Sequence, residues 1–307
     1  MIASLTAKLL RPVPFIQVLQ LATPDELVQA LNSPAPAANL LAMTILHKAA
    51  ASPREVTMLC MFTNLVLTFI RRWLAAPQVE VGTKGGKVLG DLLDIDCELP
   101  PPPPPSQPGD ASYTDLVLRK APGQGKLWHL IFRDTQMYTS LLDLLSGRHP
   151  DTANDPHQVS LAQGRVLRIL PRLAALNLPV ISQSPITPPT PVHLTNGDGD
   201  DSVSSVPRPG EGFLQYAALR MVQKSDQLMH LSLVDFFETL VSLLRVTEYS
   251  ALKIETLRAI LAEATSGDTV LREALLELPD RTVEEEVEGL RRWLRELLPG
   301  EAVLAIR

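Results

Sequence analysis

Cysteine is scarce in this chain: Cys60 and Cys97 are the two thiols in 307 residues. Neither has a close partner in sequence. That excludes a disulfide-stapled framework and reads as two buried free thiols in a reducing compartment. Aromatic residues make up only 5%, so Leu, Ala and Val carry the apolar load. Small and unbranched side chains lose little rotamer freedom in helices, and Val and Ile fall inside helical periodicities rather than alternating runs. A basic excess is also lacking. Residues 211–307 hold 11 Lys and Arg against 17 Asp and Glu, which is the whole of the net charge of −6. Nucleic acid as the main ligand is thereby disfavoured. No secretory signal opens the sequence, since Met1 to Leu10 carries Lys8 late in its apolar run and no small-residue cleavage site follows. Val56 to Ile70 is apolar apart from Thr57, Thr63, Asn64 and Thr68, and Arg71-Arg72 follow. Its 15 residues fall short of the about 20 that a spanning helix needs, so it reads as a buried helix and no membrane partner is expected.

Chemical motifs are equally sparse. Val81-Gly82-Thr83-Lys84-Gly85-Gly86-Lys87 suggests a phosphate loop, but Val81 stands where the first glycine is required and Val88 where Ser or Thr should follow the lysine. A turn leading into a helix over Val88 to Cys97 is the expectation, with the glycines permitting a sharp bend and close helix approach. Asp91 and Asp94 could share a helix face with too few oxygen ligands for a divalent ion, and Asn196 to Asp201 lacks the closing glutamate of a calcium loop. The histidines His47, His129, His149, His157, His193 and His230 form no zinc-site spacing, and no Gly-x-Ser-x-Gly elbow occurs. An enzyme, a cofactor, a metal and a small-molecule substrate are therefore not expected.

What the sequence does have is helix signals. Thr23-Pro24-Asp25-Glu26, Ser52-Pro53-Arg54-Glu55 and Asp155-Pro156 each place a capping oxygen before a first-turn proline. The patterns predict helices near 2–10, 24–31, 36–50, 53–74 and 83–97, then 124–145 and 157–177, then 212–224, 231–246, 248–265, 268–278 and 281–298. Between Leu231 and Leu244 apolar residues cover most of the circumference, as in a helix covered on several sides. Successive helices with short connections suggest an all-α, armadillo/HEAT-like α-solenoid of stacked hairpins. The last helix carries acids in its first turns and Arg291, Arg292 and Arg295 near its end, matching the helix dipole and suiting a cap. Pro100 to Pro105 cannot pack and reads as an extended linker. Gln183 to Gly210, rich in Pro, Ser, Gly and Asp, reads as a disordered acidic insertion. The organisation expected is N-terminal repeats over 1–99, a Pro-rich linker over 100–122, middle repeats over 123–182, the insertion over 183–210, and C-terminal repeats with a cap over 211–307.

Two features point to partner binding. Arg165, Arg168 and Arg172 follow i, i+3, i+7 spacing and form one stripe beside the apolar stripe Ala162, Val166, Ile169 and Leu173. Arginine forks suit carboxylates and are enriched at interfaces; a merely solvated face is the alternative. Pro171 should kink or break this helix. Trp128 and Phe132 share a helix face, as core packing or as an exposed anchor.

Three groups of segments carry a resemblance. They are Val81-Gly82-Thr83-Lys84 leading into Leu89-Gly90-Asp91-Leu92-Leu93, then Gly125-Lys126-Leu127-Trp128 with Ile131-Phe132, and Leu161-Ala162-Gln163-Gly164-Arg165 with Leu170-Pro171-Arg172-Leu173. They resemble the fungal family of the yeast mismatch-repair-linked proteasome assembly chaperone, the counterpart of the animal proteasome non-ATPase regulatory subunit five. The similarity spans roughly Leu40 to Leu297, interrupted by the two linkers. It implies an α-solenoid that holds the C-terminal domain of a proteasomal ATPase subunit while the regulatory-particle base assembles, in the cytoplasm and with the nucleus as a second compartment. A generic solenoid adaptor of transport or DNA-repair complexes is the alternative function. No contact residue of the family is carried over to this chain.

Overall fold

In the computed structural model the described residues are 8, 12–98, 122–153, 155–183 and 211–298. Among them the chain is mostly helical and contains no strand. Two compact units emerge, Met1–Ile131 and Phe132–Arg307.

The first unit begins with α1 (Phe15–Leu21), a short helix that the sequence patterns did not announce; the helix expected over 2–10 lies outside the described residues, residue 8 apart. α2 (Pro24–Asn32) starts at a full capping box, with Thr23 and Glu26 exchanging hydrogen bonds. α3 (Pro36–His47) runs into a 3-10 turn, Lys48–Ala51. The helix expected over 53–74 is two, α4 (Pro53–Cys60) and α5 (Thr63–Ala75), bent by 95° at the break. The long apolar run is thus divided between two directions. α6 (Val79–Ile95) begins earlier than expected and takes the whole glycine-rich segment into its helix. The reason is packing. A Cβ on Gly85 would lie 2.5 Å from Cδ1 of Trp73 in α5, so glycine lets the buried indole press against the helix backbone. α7 (Lys126–Phe132) starts at the end of this unit. α2 packs on α3 and α5, and α3 packs on α6, which also packs on α5.

In the second unit, Asp134 caps α8 (Thr135–Leu145) through the N–H of Met137, which splits the helix expected over 124–145. α9 (Pro156–Ser182) is capped by Asp155. Pro171 does not break it. The one residue inside with non-helical dihedrals is Asn177, whose Oδ1 accepts from Val180 N–H and so starts a new turn. Then follow α10 (Phe213–Leu219), α11 (Gln227–Arg245) and α12 (Ala251–Thr265). α13 (Thr269–Glu277) continues into a 3-10 turn, and α14 (Glu284–Leu297) comes last. α9, placed by sequence among middle repeats, packs with α10, α11 and α12, and Tyr138 of α8 meets Phe213 of α10.

Helices two places apart pack on one another in this unit, alongside contacts between α9 and α10 and between α12 and α13. α9 lies against α11, α11 against α13, α10 against α12, and α12 against α14. Matching ends meet: His230 of α11 bonds Asp268 at the start of α13, while Arg220 after α10 bonds Glu263 near the end of α12. Along α12, Lys253 faces Trp293 and Arg258 bonds the Glu296 carbonyl, so α12 and α14 run in the same sense. Phe132, Tyr138, Phe213 and Tyr216 form an aromatic cluster with centroids 5.6–6.3 Å apart.

By length and composition α11 could cross a membrane, and so could α4 with α5 if the bent pair were one span. One side of α11 here packs into the core. Phe236, Phe237, Leu240 and Val241 are buried, while Glu238 and Arg245 pair with Arg281 and Glu286 of neighbouring elements.

Candidate functional site

The arginine stripe survives the fold. α9 contains no Asp or Glu, and Arg165, Arg168 and Arg172 are its cationic residues. Arg168 is exposed; Arg165 and Arg172 are half-buried. The helix is held from behind by Val166, Leu167, Leu170, Leu173 and Ala174, all buried. Because Pro171 leaves the helix intact, Arg172 keeps its alignment with Arg165 and Arg168. Burial and then the neighbouring charge of Arg168 lower the pKa of Arg165. Arg165 and Arg168 are thus adjacent cations on a helix without acids.

Trp128 is a correction. Its side chain is fully buried and the indole N–H donates to the Leu93 carbonyl at 2.9 Å. It is a core residue and cannot anchor a partner at the surface. The same corner explains how the first insertion attaches. Asp96 is fully buried, and its carboxylate accepts the N–H of Leu127 at 2.6 Å and of Gln124 at 3.4 Å. It caps α7 from across the insertion. Burial raises the Asp96 pKa, and the donated N–H bonds oppose that rise. Gly123 N–H donates to the Cys97 carbonyl and Gly125 N–H to that of Asp96. A Cβ on Gly123 would lie 2.0 Å from the Asp96 backbone, so the two ends of the insertion touch. The second insertion returns likewise: Gln215 Nε2 donates to the Ser182 carbonyl, and Gly212 sits against the Ser182 backbone.

Two His–Asp–Lys groups were not foreseen from the isolated histidines. In the first unit His47 Nε2 lies 2.8 Å from Asp91, which also pairs with Lys87. In the second, Asp268 is bound by Lys224 at 2.8 Å and His230 at 2.9 Å, and it caps α13 through Leu271 N–H. Burial opposes ionisation of Asp268, but the bonds from Lys224, Leu271 and His230 outweigh it and lower its pKa. Each carboxylate ties neighbouring helix ends together. A half-open groove in the second unit is bordered by Gly147, Asp155, Val159, Tyr216, Met221 and Asp226. Its polar groups are engaged structurally: Asp155 and Asp226 cap α9 and α11, and Arg220 is gripped by both oxygens of Glu211. Among the described residues no three His, Cys, Asp or Glu side chains are grouped to hold a metal ion. Burial pushes the Cys60 thiol up to about 12, far from the thiolate that a nucleophile needs.

The sequence could have shown Asp268, which follows Gly267 and precedes a helical run as a cap should. It held no signal for Asp96, whose helix begins on the far side of the insertion. No protein-family model matches the chain, and neither a curated protein nor a solved structure matches it.

Proposed function

We propose that this chain is a non-enzymatic binding scaffold, each unit a short piece of two-layered α-solenoid, and that it acts as an assembly chaperone holding the C-terminal domain of a proteasomal ATPase subunit. The observation that carries the scaffold is the alternate-helix stacking of the second unit, with matching ends together, which is how hairpin repeats shield one another's apolar faces. The first unit follows the same rule if α4 and α5 are taken as one bent helix: α2 pairs with α5 and α3 with α6, and His47 near the end of α3 meets Asp91 late in α6. Such arrays offer broad rigid faces, and the acid-free α9 supplies one with charge.

The choice of partner rests on the sequence segments that resemble the fungal chaperone family. The mechanism is occlusion. A stoichiometric partner covers a docking surface of the ATPase subunit and is displaced as the larger assembly forms, with no bond made or broken. The test is binding of the purified full chain to the isolated C-terminal domain of each proteasomal ATPase subunit from a fungus, read by size exclusion and fluorescence anisotropy. One domain should bind at equal stoichiometry with a Kd of about 1 µM or tighter, a binding free energy of about −8 kcal/mol. Failure of every domain to bind refutes the chaperone assignment.

A further inference from the structure

Resting on the layered scaffold proposed above, we infer that α9, α11 and α13 together present one docking face, charge-graded across its width, which takes a protein segment with an apolar centre, an acidic edge and a basic edge. α11 packs against α9 on one flank and α13 on the other, while α10, α12 and α14 pack against these three from the opposite layer. After its exposed first residue, Gln227, the exposed positions of α11 are Leu228, Leu231, Asp235 and Thr239. Their spacing of three and four places them along one side, the side left uncovered. Leu228 and Leu231 are 76% and 53% exposed, although they belong to a helix whose other leucines are mostly buried. Neither is needed by the core, and adjacent exposed leucines on a rigid helix suit an interface.

The flanks differ in sign. On one side α9 brings Arg168, with Arg165 and Arg172 in line, and no acid. On the other α13 exposes Glu273 and Glu277 along with Thr269, Val270 and Leu276, and Glu238 of α11 leans toward it to pair with Arg281. The face thus runs from cationic through aliphatic to net acidic. Charge complementarity selects one partner chemistry in one orientation: its carboxylates over α9, its apolar side chains on Leu228 and Leu231, its Lys or Arg over α13. Reversal of the partner would set like charges against each other.

Two probes separate this face from the choice of partner. The first is the ATPase C-terminal domain that binds the full chain. The second is a synthetic helical peptide with Glu along one edge, Leu along the centre and Lys along the other. The substitutions are Leu228→Ser with Leu231→Ser, Arg168→Glu, and Arg292→Glu on the outward side of α14 as a control. Thermal unfolding should match the parent for all of them, since each side chain is exposed. The double serine variant should weaken binding at least about tenfold, Arg168→Glu severalfold with a shallower salt dependence, and Arg292→Glu should leave binding unchanged. If no ATPase domain binds but the peptide does, with this pattern of losses, the face stands and the chaperone assignment falls. If an ATPase domain binds equally well to the double serine variant and the parent, the face falls and the chaperone assignment stands. If neither probe binds the parent, the face falls.

Discussion

The two units cap a helix C-terminus by the same device, built once from a neutral side chain and once from a charged one. In the first, Asn39 near the start of α3 turns back onto the end of α2, and its amide nitrogen donates to the carbonyls of Ala30, Leu31 and Ser33 at 2.9–3.0 Å. In the second, Lys253 near the start of α12 turns back onto the end of α11, and its ammonium donates to the carbonyls of Leu244, Thr247 and Glu248 and to the Thr247 hydroxyl. Both are almost fully buried. Each unit adds a tryptophan: Trp128 N–H meets the Leu93 carbonyl and Trp293 N–H the Val241 carbonyl. Helix ends leave carbonyls unpaired, and a following helix that reaches back can satisfy them only if its first turn carries a donor. An amide has two N–H groups to share. An ammonium has three, suits the negative end of the helix dipole, and here also lies 5.4 Å from the centroid of the Trp293 ring. The charged version makes more bonds and bears a larger desolvation cost.

The largest effects should come from the two tryptophans. Trp128→Ala removes a fully buried ring and leaves a carbonyl unpaired, for a loss of about 4 kcal/mol. Trp293→Ala removes a ring that is 8% exposed together with its contact to Lys253, and should cost about 3 kcal/mol. Urea unfolding followed by circular dichroism measures both. A loss below about 1 kcal/mol for Trp128→Ala would contradict its place in the core.

The caps come next. Lys253→Met should cost about 2–3 kcal/mol and Asn39→Ala about 1–2 kcal/mol, because each strands buried carbonyls. They should part company in alkali. Burial lowers the pKa of Lys253 in the folded chain. Between that value and the ordinary lysine value of 10.5, the unfolded chain binds more protons than the folded one, so this lysine makes stability rise with pH. The margin of the parent over Lys253→Met should therefore widen as pH climbs toward 10.5, while its margin over Asn39→Ala stays flat. Parallel margins in denaturant titrations from pH 7 to 10 would show that the ammonium carries no such coupling.

Capping chemistry and periodicity made most of the helices legible, because both are local. Thr23, Ser52 and Asp155 announce their helices within four residues, and each caps as its pattern implies. The misreadings came where a distant neighbour overrules local preference. Gly82, Gly85 and Gly86 weaken a helix in isolation, yet α6 runs through them, and at Gly85 Trp73 fills the space that a Cβ would occupy. Pro171 costs a hydrogen bond, but its ring is buried and the helix continues to Asn177, where a side-chain cap and then Pro179 start a fresh turn. On the candidate face the arginine spacing was legible because it lies on one helix. Leu228 and Leu231 were not, since a sequence with apolar residues around most of the α11 circumference does not say which leucines its neighbours leave uncovered.

The insertions offer the smallest and most discriminating test of how the units differ. At the first, the ends are joined by backbone bonds from Gly123 to Cys97 and from Gly125 to Asp96, with the Asp96 carboxylate capping α7. At the second, a side-chain bond from Gln215 to the Ser182 carbonyl joins the ends, with Gly212 against the Ser182 backbone. Replacing residues 99–121 with a link of a few residues keeps Asp96, Cys97, Gly123 and Gly125 and shortens the closed loop roughly fivefold, which should stabilise the chain by about 1 kcal/mol. The same excision of 184–210 saves a similar closure entropy, so a similar gain is expected there, read by urea unfolding. A loss of stability on removing 99–121 would mean that residues between those ends contribute to the fold of the first unit, and the closed base would no longer account for its integrity.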